Sequence, residues 1–307
     1  MPLSALSKLG IAKETTWGSG STTFINIPIE PFSYSPINFD LIRDQSLRGE
    51  FGTDFGVYQG VFHVEMDLDG HVYPNEIGYL VLSMFGSDSV TGTAAPYTHT
   101  FTLAQTAPSL ALLDYNGVQT YQMRGMKAGK LSFTFNAAED FLKWSATLNG
   151  KDYTTSTATV PTATASNAFV GWQASVSVGG SAFAKVITFE ANLTRDLNIV
   201  YTANNTQAPY AIYQGPLDAT GNMVLIFDSA SDLDKYLSNS TASMSVTFSS
   251  GNYSFTLTSA NVTFAADAAE IARDEVDLRL TLNWRGLSNA TDGGPCRIIL
   301  VNSTSAY

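Results

Sequence analysis

The chain has 307 residues, enough for two domains of ordinary size, each with its own core. Its formal charge of −11 divides into −6 over residues 1–155 and −5 over the remainder, a balance that argues against binding nucleic acid by neutralising phosphates. A single cysteine, Cys296, allows no intrachain disulfide and no zinc set. The longest apolar stretch, Ile77 to Phe85, is too short to span a bilayer, and no basic-then-apolar leader opens the chain, so the expectation is a soluble protein of a reducing cytoplasm.

Most of the chain reads as β structure. In order, Val57–Leu68, Tyr97–Leu103, Lys130–Phe135 and Leu142–Leu148 alternate apolar with polar residues, as do Ala174–Val178, Val186–Leu193, Asn222–Phe227, Met244–Phe248, Tyr253–Leu257 and Val276–Trp284. Turn pairs such as Asp69-Gly70, Asn149-Gly150 and Gly179-Gly180 separate them. Two short helices are expected: Glu76–Met84, capped by Asn75 and stopped by Gly86, and Asp232–Leu237, capped by Ser229 or Ser231.

The chain also repeats itself. Tyr58-Gln59-Gly60 recurs as Tyr213-Gln214-Gly215, an offset of 155 residues, and upstream Asp40-Leu41 recurs as Asp196-Leu197. Downstream, the stretch opened by Phe133-Thr134-Phe135 resembles the one opened by Val262-Thr263-Phe264, and each expected helix follows its Tyr-Gln-Gly motif. Two copies are too few for a solenoid or propeller, so the reading is a duplicated domain: 1–155, a Thr/Ala/Ser-rich linker at 156–168, and 169–307. The first copy is longer by about 24 residues, expected between Ser87 and Met126, a difference read from the motif spacing.

The opening stretch Leu9-Gly10-Ile11-Ala12-Lys13-Glu14-Thr15-Thr16-Trp17-Gly18-Ser19, followed by a strand at Phe24–Ile29, resembles the start of tailed-phage major tail tube proteins. The resemblance implies a mainly β fold: two tandem tail-tube-like β-sandwich or half-barrel domains, each with one short α-helix. It further implies a structural virion protein whose sheets join those of neighbours into the hollow tube that carries DNA. The expected partners are other copies of the chain and the tail tip or baseplate, tape measure and tail terminator proteins. DNA passes without specific binding, and no membrane or cofactor is implied. Assembly would take place in the host bacterial cytoplasm, and a long non-contractile tail is the default. A subunit with two copies predicts a ring of three chains with pseudo-six-fold symmetry; a six-chain ring with the second copy outside is the alternative.

Candidate functional residues follow. On one strand, His63, Glu65, Asp67 and Asp69 alternate with Val64, Met66 and Leu68, which puts the polar set on one face. Glu65, Asp67 and Asp69 are read either as a lumen face that repels phosphates or as an ordinary solvent face; residues strung along a strand do not converge on a metal ion. Only Asp218 and Asp228 stand in the matching region of the second copy. The polar stretch Asp40–Phe55 holds Arg43, Asp44, Arg48, Glu50 and Asp54, against an uncharged counterpart at Asn198–Pro209. The family resemblance makes both loops that reach the adjacent ring, where mixed charge would fix register; the other reading is a solvated loop. Arg124, Lys127 and Lys130 form one small basic cluster, and Trp17, Trp144, Trp172 and Trp284 are expected in the core or at subunit contacts. No nucleophile elbow, P-loop or His-Glu-x-x-His motif is present, so no enzyme is predicted. The alternative function is a duplicated β-sandwich binding module recognising carbohydrate or another virion component.

Overall fold

A computed structural model describes residues 6–30, 38–138, 140–163, 166–226, 240–266 and 278–307. The first part of the chain contains β1 (Lys8–Lys13), β2 (Ile25–Asn26), β3 (Asn38–Asp44), β4 (Gly56–His71) and helix α1 (Gly78–Phe85). It continues with β5 (Gly86–Thr91), β6 (Tyr97–Leu103), β7 (Leu110–Tyr115), β8 (Thr120–Asn136), β9 (Lys143–Gly150) and β10 (Asp152–Thr155). The second part contains β11 (Ala174–Val178), β12 (Ser181–Ala182), β13 (Val186–Val200) and β14 (Ala211–Ile226). It ends with β15 (Ala242–Ser250), β16 (Tyr253–Ala266), β17 (Arg279–Gly286) and β18 (Arg297–Asn302). The chain is mainly β, as its alternation predicts, and all eighteen strands belong to one hydrogen-bonded sheet.

Strand pairing follows one plan twice. Pairs β1·β2 and β1·β7 correspond to β11·β12 and β11·β15. Pairs β3·β4 and β4·β9 correspond to β13·β14 and β14·β17. Pairs β7·β8, β8·β9 and β8·β10 correspond to β15·β16, β16·β17 and β16·β18. Among the described residues three pairings stand outside this plan: β5·β6, β6·β18, and β8·β13, which joins the two parts edge to edge. The β5–β6 hairpin, which has no counterpart among the described residues of the second part, is tied to that part through β18.

The registers match as well. In β3·β4 a bulge sets Asp40 opposite Gly60 and Val61, with Leu41 paired to Gln59 and Ile42 to Tyr58. In β13·β14 a bulge of the same form sets Asp196 opposite Gly215 and Pro216, with Leu197 paired to Gln214 and Asn198 to Tyr213. At Gly60 the missing side chain matters because the α-carbon lies against the bulged backbone, where a Cβ would stand 2.8 Å from the Asp40 carbonyl oxygen; the same approach is looser at Gly215, where a Cβ would stand 3.3 Å from that of Asp196. Further along, one row of paired residues crosses seven strands: Gly70, Trp144, Phe133, Ala191, Gly221, Trp284, Phe264. Each tryptophan lies across a glycine whose missing side chain makes room for the indole; a Cβ on Gly70 would be 3.1 Å from Trp144. Through this row Phe264 takes the place of Phe133, two residues away from the pairing that the sequence motifs suggest.

One face of the sheet carries the core. Phe133, Phe135, Leu148, Phe189, Met223, Phe248, Phe255 and Trp284 are buried in a single apolar cluster drawn from both parts. Ring contacts such as Phe133–Phe255 (4.9 Å) and Phe135–Phe248 (5.0 Å) cross between them. Helix α1 lies in this core and ends at Gly86, whose φ of 94° is the left-handed stop read from the sequence. Its start differs from the expectation. The N-cap is Ile77 with no side-chain bond, and Asn75 instead accepts hydrogen bonds from the backbone N–H and hydroxyl of Ser303. The helix expected at 232–237 and the linker positions 164–165 lie outside the described residues.

Candidate functional site: a polar sheet face and two hairpin arms

The polar face is built by strand alternation. On β4, Glu65, Asp67 and Asp69 are exposed while Val64, Met66 and Leu68 are buried, as the period of two requires. The row continues through Thr147 of β9, whose hydroxyl donates to Asp67 Oδ1 at 2.6 Å, and Ser132 of β8, whose hydroxyl donates to Asn192 of β13 at 2.7 Å. Glu190 organises the second part: its two carboxylate oxygens accept from the side-chain amides of Asn192 (2.6 Å) and Asn222 (2.9 Å). Asp218 pairs with Arg285 at 2.9 Å. Asn192, Asn222, Asn283 and Arg285 help to line a hollow of ≈730 Å³ on this face. The face is thus a carpet of small amides, hydroxyls and partly neutralised carboxylates. Glu190 is the acidic residue that motif matching missed, although the alternation of Val186–Leu193 would have placed it outward. Asp228 lies outside the described residues.

The arms are the far ends of the β3–β4 and β13–β14 hairpins. Asp40 to Asp44, read from sequence as part of a polar loop, belong to strand β3, so the first loop proper runs from residue 45 to residue 55; likewise Asn198 to Val200 belong to β13. The charged residues of the first arm largely satisfy one another. Arg48 meets Asp44 at 2.5 Å, Arg43 meets Asp54 at 3.7 Å, and the Gln45 amide donates to Asp54 at 2.8 Å. Asp44 also accepts from the Ser46 hydroxyl and backbone N–H, which hold its carboxyl below the usual carboxylate range, with Arg48 adding to the effect. The Arg48 guanidinium lies 4.8 Å from the Phe55 ring centroid. Glu50 is exposed. What the arm presents outward is apolar: Leu47 and Phe51 are fully exposed, and Leu41, Ile42, Val57 and Tyr58 are largely so. Such a concentration of exposed large apolar side chains marks a contact surface.

The loop of the second arm meets the root of the first. The Gln207 amide donates to the carbonyl of Gly60 at 3.0 Å, and Phe62 N–H donates to the Gln207 carbonyl at 3.1 Å. His63 lies 3.1 Å from the Tyr201 hydroxyl. The second arm is also seated on the first part of the chain. Gln214 donates to the carbonyls of Ser83 at the end of α1 (3.0 Å) and Ala128 of β8 (2.9 Å). Arg195 donates to the carbonyls of Met84 (3.0 Å) and Gly215 (2.8 Å), and burial lowers its pKa.

The basic cluster expected from sequence does not form a patch. Arg124 is held in a two-pronged pair with Asp152 (2.7 and 2.8 Å), burial and the nearby Arg195 lower the pKa of Lys127, and Lys130 is exposed on its strand. Trp144 and Trp284 are core residues and Trp17 is half-buried, but Trp172 is 73% exposed, beside a pocket of ≈250 Å³ lined by Phe135, Phe183 and Val186. The conspicuous Lys-Glu-Thr-Thr-Trp-Gly opening has a local physical explanation. The buried carboxylate of Glu14 accepts from the N–H groups of Gly18 (2.8 Å), Gly20 (2.8 Å) and Gly125 (3.0 Å) and from the Ser109 hydroxyl (2.6 Å). Trp17 closes the loop by donating to the Gly125 carbonyl at 3.1 Å.

Among the described residues no group of three or more His, Cys, Asp or Glu side chains could hold a metal ion, and no helix is long and apolar enough to cross a membrane. The fold defines a sheet-based scaffold with a core face, a polar face and two protruding hairpins. Residues 4–286 match the family model described as phage tail tube protein, and the chain belongs to that family. It is therefore a structural component of the virion tail, in a family that is not one of enzymes. The resemblance read from Leu9 to Ser19 extends in this way over nearly the whole sequence. Comparison with curated proteins found no match.

Proposed function

We propose that the chain is a duplicated tail tube protein, with repeats at 1–155 and 169–307 around a linker at 156–168, and that three chains close a pseudo-six-fold ring. Rings would stack into the hollow tube for DNA passage and meet the tail tip or baseplate, tape measure and terminator proteins. The observation that carries this reading is the pairing plan that recurs from β1–β10 to β11–β18, with β8·β13 as the seam between repeats. A heterologous edge contact of that kind, repeated at a fixed rotation, builds a closed ring.

The polar face suits the lumen. Its hollow is lined by the amides of Asn192, Asn222 and Asn283, the hydroxyls of Thr220 and Thr263, Arg285, and the rings of Phe264 and Trp284; Glu65, Asp67 and Asp69, which form no ion pair among the described residues, add negative charge that would repel phosphate rather than hold it. The first arm, carrying Arg43, Asp44, Arg48, Glu50 and Asp54, is the candidate inter-ring contact. Because its charges largely close on themselves, apolar burial of Leu47 and Phe51 would supply most of the contact energy. The binding-module alternative rests on the pocket beside Trp172, which at ≈250 Å³ falls below the usual ligand-site range of roughly 300–1,000 Å³. Electron microscopy of the purified chain at high concentration tests the proposal: six-lobed rings or hollow tubes are expected. Persistent monomers, even with a tail-tip initiator, would overturn it.

A further inference from the structure

The two arm roots have the same register but different surroundings. In the second, the Leu197–Gln214 pair is covered by the first part of its own chain: Leu197 packs over Gly129 of β8, where a Cβ would lie 3.0 Å from Leu197 Cδ1, and the Gln214 amide donates to the carbonyls of Ser83 and Ala128. In the first, the Leu41–Gln59 pair occupies the corresponding place beside its bulge, yet Leu41 is 59% exposed and Gln59 is exposed as well. Directly paired residues on antiparallel strands point to one face, so leucine and glutamine form a compact apolar-plus-donor patch in both arms.

We infer that the Leu41–Gln59 patch is a docking surface for the second part of another copy of this chain. Gln59 donates there to main-chain carbonyls as Gln214 does within the chain. This rests on the ring reading and specifies which residues close the ring. Two features point to a second copy rather than an unrelated partner. The chain already contains a worked example of the contact, and among the described residues β3 pairs only with β4, which leaves its other edge open. The correspondence is one of surface, not of height. Gly70 lies ten positions beyond Gly60 but Gly221 lies six beyond Gly215, so the first arm stands about 13 Å further along its strand, at roughly 3.3 Å per residue. Arg195, which reinforces the internal contact, is replaced by Phe39, packed on Phe62 at 5.1 Å.

The test uses the full chain with Leu41→Asp, Gln59→Glu and Gln214→Glu, followed by light scattering and electron microscopy. Leu41→Asp and Gln59→Glu are expected to keep the wild-type circular dichroism and thermal midpoint while raising the concentration needed for ring formation by at least about tenfold, a loss of one ordinary interfacial contact. Gln214→Glu is expected to lower the thermal midpoint, because its acceptors lie within the chain. Hydrogen exchange gives a second readout: residues 57–60, already partly protected by pairing with β3, should exchange more slowly still in rings than in monomers. Wild-type assembly by both first-arm variants, or unchanged exchange at 57–60, overturns the inference and leaves the ring reading intact. If the wild-type chain forms no ring, both fall.

Discussion

The α-carbon of Gly60 rests against the backbone of Asp40 so closely that a methyl group there would lie 2.8 Å from the Asp40 carbonyl oxygen. This contact holds the bulge from which the first arm departs, and Gly215 with Asp196 repeats it at 3.3 Å. Gly60→Ala should therefore disturb its arm more than Gly215→Ala does, with costs of about 1–3 kcal/mol and less than that respectively. Chemical denaturation and hydrogen exchange across residues 38–63 would measure the difference. Equal effects would show that the bulge spacing does not control the arm.

Gly221 is the more severe case. A Cβ there would fall 1.9 Å from the Glu190 carbonyl and 2.7 Å from the Trp284 indole nitrogen, in the middle of the row that crosses both parts. Gly221→Ala should cost about 3 kcal/mol or more, read as a fall in denaturation midpoint at constant slope.

The last residues of the chain are tied to the rest by a buried network. His99 Nδ1 lies 2.8 Å from Asp88, and Nε2 lies 2.8 Å from the Thr304 carbonyl. The Tyr307 ring packs on His99 (4.8 Å) and Tyr79 (5.0 Å), and Lys13 donates to the Tyr307 carbonyl. His99→Phe, which leaves the Asp88 carboxylate buried without its partner, should cost about 3 kcal/mol or more. Tyr307→Phe, which removes the hydroxyl shared by Asn302 and the Asn75 carbonyl, should cost roughly 1–2 kcal/mol. Thermal and urea unfolding would rank the two.

Cys296 is fully buried, and burial together with the Asp292 carboxylate pushes its thiol pKa far upward. Thiolate is the reactive form, so a thiol reagent should label the native chain only at the rate of unfolding and the denatured chain at once. Rapid labelling under native conditions would contradict the packing around β18.

At the first arm, Asp44 has its carboxyl pKa lowered by Ser46 and Arg48. A lowered folded-state pKa means that the stabilisation is present above the ordinary value of 3.8 and is lost as pH falls through the folded value. Faster exchange of the Ser46 amide than simple acid dependence predicts, confined to pH below about 4, is the expected local signature.

Phe51→Ser and Leu47→Ser change fully exposed side chains and should leave stability within about 0.5 kcal/mol of wild type. They should nonetheless shorten or abolish tubes while leaving single rings. Tubes of normal length would exclude the apolar tip as the inter-ring contact.

Much of this protein was legible from local chemistry. Alternation placed Glu65, Asp67 and Asp69 on one face, because the period-two geometry of a strand leaves no other choice. Gly86 stopped α1 because a left-handed residue was needed there. Strand β7, Leu110–Tyr115, escaped notice because it is buried almost throughout and so does not alternate. Strand β3 escaped because its exposed, charged residues read as a loop until β4 supplied the partner. The spacing of Tyr-Gln-Gly and Asp-Leu pointed to a repeat, and the sequence by itself settled the strand content, the polar strand face and the tail tube resemblance. Only the tertiary structure decided that the two arm roots differ in exposure, that the arm charges close on one another, and that Glu190 joins the polar face. Those outcomes depend on which strands become neighbours across the sheet, through hydrogen bonds between residues far apart in the chain, and no local pattern of residues encodes that choice.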